Sequence, residues 1–216
     1  MDNIKIAIYG AGGFAREVAW LIDSLKEKYD VACFIDDTES VQGSELNEIP
    51  VMGLAEARKL FPEAKIVGGI GSPKVRELVM NKAEEAGFDF MSVIHPNVEI
   101  SKWVNLGKGV VICAGSIITT NITLGDHVQI NLDCTIGHDV VMDDFVTLAP
   151  GVHISGNVHI RKGAYLGTGA NVINGSKETL LIIEENSTVG AGACVIKDVQ
   201  AGDTVAGVPA KSIKRK

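Results

Sequence analysis

The chain has 216 residues, of which 46% are hydrophobic but only 5% aromatic, and it carries a formal net charge of −7. That length fits one domain or two small ones, and the negative charge argues against nucleic acid or an anionic membrane as partner. The sequence shows no charged-then-apolar leader and no run long enough to span a bilayer, so a soluble, cytoplasmic protein is expected.

The first part of the chain reads as strands alternating with helices. Ile4–Tyr9 is expected as a strand, followed by Gly10-Ala11-Gly12-Gly13-Phe14-Ala15 and a helical pattern over residues 16–28. A second strand over 31–35 ends in Asp36-Asp37, and a short strand at 51–53 precedes a helix over residues 54–60. A strand over 65–70 leads through Gly71-Ser72-Pro73 into a helix over 74–86, with Pro73 near its first position. A last strand is expected over 88–94, and the alternation implies a small parallel α/β sheet. His95-Pro96 then marks a boundary, because proline ends regular structure.

From Ile94 to Val172 every sixth residue is a large aliphatic, beginning Ile94, Ile100, Leu106, Ile112 and Ile118. Two residues before each, from Val98 to Ala170, stands a small or β-branched residue. So short a period means a stacked solenoid of strands. Three hexads make one triangular turn, the turns stack at about the 4.8 Å sheet spacing, and the aliphatics fill the prism. The expected fold is therefore an α/β N-terminal Rossmann-like half domain (residues 1–94) followed by a left-handed parallel β-helix of hexapeptide repeats (residues 95–216). The phase breaks over 173–182, read as a protruding loop, and resumes at Ile183, Val189 and Val195. A basic tail, Lys211, Lys214, Arg215 and Lys216, closes the chain. The four cysteines are scattered and form no CxxC pair, which argues against a disulfide framework, and Cys134 falls in the inward register as core filler.

Gly10-x-Gly12-x-x-Ala15 between a strand and a helix suits a phosphate-bearing ligand, since glycines admit close backbone approach and a helix N-terminus favours anions. Asp36, after the second strand, stands where an acid would bind a ribose diol. About ninety residues precede the repeats, too few for two mononucleotide halves, so a nucleotide or nucleotide sugar fits better than a dinucleotide. Gly71-Ser72-Pro73 is a further turn at the same sheet edge.

In the repeats, His138-Asp139 is the strongest candidate for chemistry. Histidine can take a proton near neutral pH, and a carboxylate orients it and raises its basicity. Strand neighbours point to opposite faces, so direct contact requires a corner there. Gly156, one turn above His138, is expected to leave room for a ligand and to offer its N–H to a developing oxyanion. His127, His153 and His159 differ in phase or face, which speaks against a metal site in one chain, and all three read as surface residues.

Taken together, Tyr9-Gly-Ala-Gly-Gly-Phe, Phe34-Ile-Asp-Asp, Gly69-Ile-Gly-Ser-Pro, Ile94-His-Pro, the stretch from Asn131 to Pro150 and the closing Gly207-Val-Pro-Ala-Lys resemble the bacterial nucleotide-amino-sugar acetyltransferases. These belong to the NeuD/PglD-type sialic-acid O-acetyltransferase family. The resemblance covers essentially the whole chain. It implies a homotrimer that uses acetyl-CoA and no metal, with active sites between adjacent β-helices. It also implies His138 as general base and Asp139, where many relatives carry Glu, as the carboxylate supporting it. Asn131 matches an active-site asparagine, and Gly12, Gly13, Phe14, Asp36, Asp37 and Gly71 match positions that hold the nucleotide sugar. Gly156, Thr168 and Ala191 match backbone contacts to acetyl-CoA, and Thr147 stands at a cofactor position where some members have histidine. The basic tail is expected either to meet the CoA phosphates or to be a solvated tail.

The function so implied is N-acetylation of the 4-amino group of a UDP- or dTDP-linked 4-amino-4,6-dideoxy sugar, for surface polysaccharide or protein glycosylation. O-acetylation of a sugar such as sialic acid is the alternative reaction, and a non-catalytic nucleotide-sugar-binding trimer the alternative class.

Overall fold

The computed structural model describes residues 3–25 and 29–213. Contacts divide the chain into two compact units, Met1–Pro96 and Asn97–Lys216, so the division falls two residues beyond the expected boundary.

The first unit is built on a six-stranded sheet. Its strands are β1 (Ile4–Tyr9), β2 (Tyr29–Ile35), β3 (Glu45–Leu46), β4 (Ile49–Met52), β5 (Lys65–Gly68) and β6 (Asp89–Phe90), in spatial order β3-β4-β2-β1-β5-β6. All pairs are parallel except β3 with β4. β1 is central, and Ile6 to Tyr9 form an uninterrupted buried run, as expected for a parallel strand covered on both faces. Helix α1 (Gly13–Ser24) buries Ala15, Val18, Ala19 and Ile22, an i, i+3, i+4, i+7 stripe. Lys26 to Lys28, expected to continue that helix, lie outside the described residues. Helix α2 (Leu54–Leu60) matches expectation, and α3 (Pro73–Glu85) starts with proline at its first turn, where the missing N–H costs nothing. The strand expected over 88–94 is two short pieces, β6 and Val93–Ile94, separated by Met91 and Ser92.

The second unit is a left-handed parallel β-helix. Strands pair at a spacing of 18 residues on each of three faces: Ile112 with Ile130, Leu148 and Leu166; Ile118 with Ile136 and Ile154; Leu124 with Met142 and Ile160. Those aliphatics and the smaller residues two positions before them, such as Val128, Val140 and Val146, are almost wholly buried. Each buried Val, Leu or Ile contributes about 1.5–3 kcal/mol, so the prism is held by its filling.

Corners need a left-handed backbone at their second residue. Asn121, Asp133, Asp139, Asn157 and Asn186 all have φ between 55° and 58° there, types that tolerate this region. The N–H groups of Asp133, Asp139, Asn157 and Asn186 donate to the corner one turn below, as Asp139 N–H does to Thr120 O (3.2 Å) and Asn157 N–H to His138 O (3.0 Å).

The interruption is shorter than expected. The chain leaves the prism at Ile173 but is again in strand at Leu181–Ile183, paired with Val158–Ile160, and the ladder spacing there rises from 18 to 23. Leu181 returns early because it occupies the inward register two residues before Ile183, and both are buried. The protrusion ends in a tight turn in which Ser176 N–H donates to Thr179 O (2.8 Å) and Thr179 N–H to Ser176 O (3.2 Å), with Lys177 and Glu178 at its tip. The C-terminal motif folds as a hairpin in which Thr204–Ala206 pairs antiparallel with Lys211–Ser212. Lys214, Arg215 and Lys216, proposed to meet phosphates, lie outside the described residues.

Candidate active site

In the first unit the carboxyl ends of β1, β2 and β5 share one edge, tied by Gly10 N–H to Ile35 O and Gly69 N–H to Tyr9 O, both 2.8 Å. The glycines there divide into two kinds. Gly10 has φ +124°, and a Cβ on it would lie 2.8 Å from Gly69 O; a Cβ on Gly69 would lie 2.6 Å from Ile8 Cγ2. Those two are required by packing. Gly12, Gly13 and Gly71 would meet nothing within 4 Å, so their lack of a side chain leaves open space at this edge. Arg76, buried in α3, donates from Nη1 to Ile70 O (2.8 Å) and Gly71 O (3.3 Å), shaping the β5–α3 turn. Burial pulls its guanidinium below the ordinary value.

The acidic pair is partly committed. Asp37 accepts from Tyr9 Oη (2.6 Å) and from Lys82 Nζ (2.5 Å). Partial burial opposes its ionisation, yet those hydrogen bonds hold it below the ordinary carboxylate value. Burial, then Asp37, pushes the Tyr9 hydroxyl up. Asp36 Oδ1 accepts from Thr38 N–H (2.9 Å). Phe14 is half-buried in the first turn of α1.

In the β-helix, His138 and Asp139 form a corner. The left-handed backbone of Asp139 (φ +57°) turns its short side chain back so that His138 Nδ1 and Asp139 Oδ2 lie 2.8 Å apart. The corner expected for this contact is therefore present, and Asp suffices where a strand would need a longer reach. The His138 side chain is 58% exposed. Hydrogen bonds from His138 and then Asn121 Nδ2 (3.3 Å to Oδ1) hold the Asp139 carboxyl below its ordinary value, with the charge of Lys177 adding to the effect. Asn121 escaped sequence reasoning, although standing 18 residues before Asp139 is the signal that places it on the same corner.

Gly156 requires a correction. A Cβ there would lie 2.5 Å from both Cε1 and Nε2 of His138, so the room expected for a ligand is filled by the imidazole itself, and Gly156 is buried beneath it. Among the other histidines, His127 is not a surface residue. It is 3% exposed because the Phe145 ring of the next turn stacks on it at 5.0 Å. His159 Nε2 lies 2.8 Å from Asp143 Oδ1, and His153 Nδ1 lies 2.8 Å from Thr135 Oγ1. Among the described residues no three His, Cys, Asp or Glu side chains are grouped to hold a metal ion.

The remaining positions lie elsewhere on the prism. Thr168 and Ala191 are exposed on another corner column, linked by Gly169 N–H to Pro150 O and Gly192 N–H to Thr168 O. Asn131 precedes that column, 6% exposed, its Nδ2 donating to Leu148 O (2.8 Å). Thr147 is 1% exposed within its strand, so in a single chain it offers a ligand almost no surface. Cys134 is fully buried, and burial pushes its thiol up to about 11.

A family model described as the PglD N-terminal domain matches residues 5–83. GDP-perosamine N-acetyltransferase of Escherichia coli O157:H7 is 31% identical, with 96% of each chain covered. WeeI from Acinetobacter baumannii AYE superposes with a TM-score of 0.90 at 35% identity, covering 98% of this chain and 100% of that one. The acetyltransferase domain of PglB from Neisseria gonorrhoeae FA1090, solved in complex with acetyl coenzyme A, gives 0.87 at 35% identity and the same coverage. Likeness at this level runs through both units, and the chain belongs to the family of PglD-type nucleotide-amino-sugar N-acetyltransferases.

Proposed function

We propose that the protein transfers the acetyl group of acetyl-CoA to the 4-amino group of a UDP- or dTDP-linked 4-amino-4,6-dideoxy sugar, with His138 as general base. The observation that carries this is the His138 Nδ1 to Asp139 Oδ2 contact on an exposed corner. With Nδ1–H donated to Asp139, the lone pair of Nε2 is left to accept a proton. The sugar nitrogen attacks the thioester carbonyl while Nε2 takes its proton. The tetrahedral intermediate then collapses, breaking the C–S bond, and the proton held by His138 passes to the departing CoA sulfur. Transfer is direct: Cys134 is buried with its thiol pushed up, so it does not serve as an acyl carrier.

The nucleotide sugar is assigned to the β1, β2 and β5 edge, where Gly12, Gly13 and Gly71 leave space and Phe14, Asp36 and Asp37 stand nearby. Acetyl-CoA is assigned to the exposed column of Thr168 and Ala191, and the complex of the similar PglB domain with acetyl coenzyme A supports it as the co-substrate. His138 and the Thr168–Ala191 column occupy different corners of one prism, which favours a homotrimer in which one copy's base faces the other column of its neighbour. GDP is a second nucleotide reading, favoured by the full-length likeness to a GDP-perosamine enzyme.

The test is CoA release from acetyl-CoA with UDP-, dTDP- and GDP-linked 4-amino sugars and free sialic acid. Turnover on one amino sugar that is lost in His138→Ala is expected. Turnover only on a hydroxyl acceptor would replace the reading by O-acetylation, and full activity of His138→Ala would remove the general-base assignment.

A further inference from the structure

The corner that carries His138 is held from both neighbouring turns. Above it, the Gly156 backbone lies against the ring, and Asn157 N–H donates to His138 O. Below it, Asn121 sits at φ +57° with its amide aimed upward. Asn121 Nδ2 donates to Asp139 Oδ1 at 3.3 Å. The other oxygen, Oδ2, is the one that meets His138 Nδ1. A carboxylate gripped at one oxygen only can rotate about its χ2 bond, a broad torsion. Gripped at both, it cannot.

We propose that Asn121 is a positioning residue for the reaction: it fixes the Asp139 carboxylate from the turn below, and through it the tautomer and direction of the His138 ring. The proposal rests on His138 acting as the base. Asn121 touches neither the ring nor the space above it, so its effect is on the rate of proton transfer and not on the binding of either substrate. A merely conformational role, asparagine as one of the types that tolerate a left-handed corner, is met equally well by glycine. That equivalence separates the two roles.

The experiment uses the full chain, acetyl-CoA and whichever nucleotide amino sugar of the panel above turns over fastest. In Asn121→Gly the corner geometry is preserved and the amide removed. The expected result is a fall in kcat of about tenfold, with both KM values within about twofold of wild type and an unchanged melting midpoint. On the residual turnover of His138→Ala, followed at high enzyme concentration, the same substitution is expected to change nothing further, since residues acting as a unit are not additive.

Asn121→Asp keeps shape and left-handed tolerance but sets a second anion against Asp139. Among the described residues, the charges acting on this corner are then Asp139 itself, the new carboxylate below and Lys177 in the protrusion above, whose charge reaches Asp139; Thr120, Gly156 and Asn157 are neutral. An added anion favours the imidazolium, so the acidic limb of kcat/KM is expected to move to higher pH by about one unit. Asn121→Gly with wild-type kcat, or an additional loss of the same size in the His138→Ala background, would overturn the positioning role while leaving the base assignment standing. Full activity of His138→Ala would remove both.

Discussion

The imidazole of His138 lies against the backbone of Gly156 one turn above, so close that a Cβ there would stand 2.5 Å from Cε1 and Nε2. Gly156 therefore acts as the wall against which the base rests. Its φ lies outside the positive region, so alanine is conformationally allowed, and the three atoms its Cβ would meet most closely all belong to the ring. Gly156→Ala is expected to displace the ring and lower kcat about 100-fold, the cost of misplacing a reacting group by roughly 1 Å. The melting midpoint should change little, because the exposed imidazole can swing aside. Steady-state kinetics alongside a thermal melt checks this, and a variant with normal kcat would mean that the ring is not held against Gly156 in solution.

The two kinds of glycine in the N-terminal unit make a second prediction. Gly71→Ala adds a methyl that meets nothing within 4 Å, so stability should be unaffected, while KM for the nucleotide sugar should rise about tenfold if that space is the ligand's. Gly10→Ala combines φ +124° with a 2.8 Å approach to Gly69 O, and should cost about 1–3 kcal/mol of stability. Melts and KM values of the pair separate ligand space from packing. Equal KM for Gly71→Ala and wild type would move the nucleotide site elsewhere.

The prism was legible because its inward side chains recur every six residues with little variation, as in Ile112, Ile118 and Leu124, and no other fold imposes that period. The strand–turn–helix glycines were legible for a similar reason, each standing where backbone must turn. The β3–β4 hairpin was not. Its turn places Asn47 (φ 49°) and Glu48 (φ 66°) in the left-handed region, where the expected signal is Asn-Gly and glutamate gives none. Burial of His127 was hidden because corner phase says only that a side chain leaves the prism. Whether a neighbour such as Phe145 then covers it depends on the turn above. The same limit applied to Gly156: the 18-residue spacing placed it above His138, but not the ring's upward lean that fills the gap.

The Asp37 network gives the N-terminal unit a pH signature. Asp37 lies below its ordinary value of 3.8: partial burial opposes ionisation, but hydrogen bonds from Lys82 and Tyr9 outweigh it. A depressed native value means that the stabilisation is fully present above about pH 4 and is lost as pH falls through the native value. Both partners are about half exposed, so solvent screening leaves the Lys82 contribution at about 0.5 kcal/mol. Lys82→Met, which keeps the aliphatic stem and removes the ammonium, should lower the melting midpoint by about 1–2 °C at pH 7. That gap should close as melts are repeated down to the lowest pH at which the fold persists. A gap of constant size across that range would mean that Lys82 stabilises through its stem, leaving Tyr9 as the partner that holds Asp37.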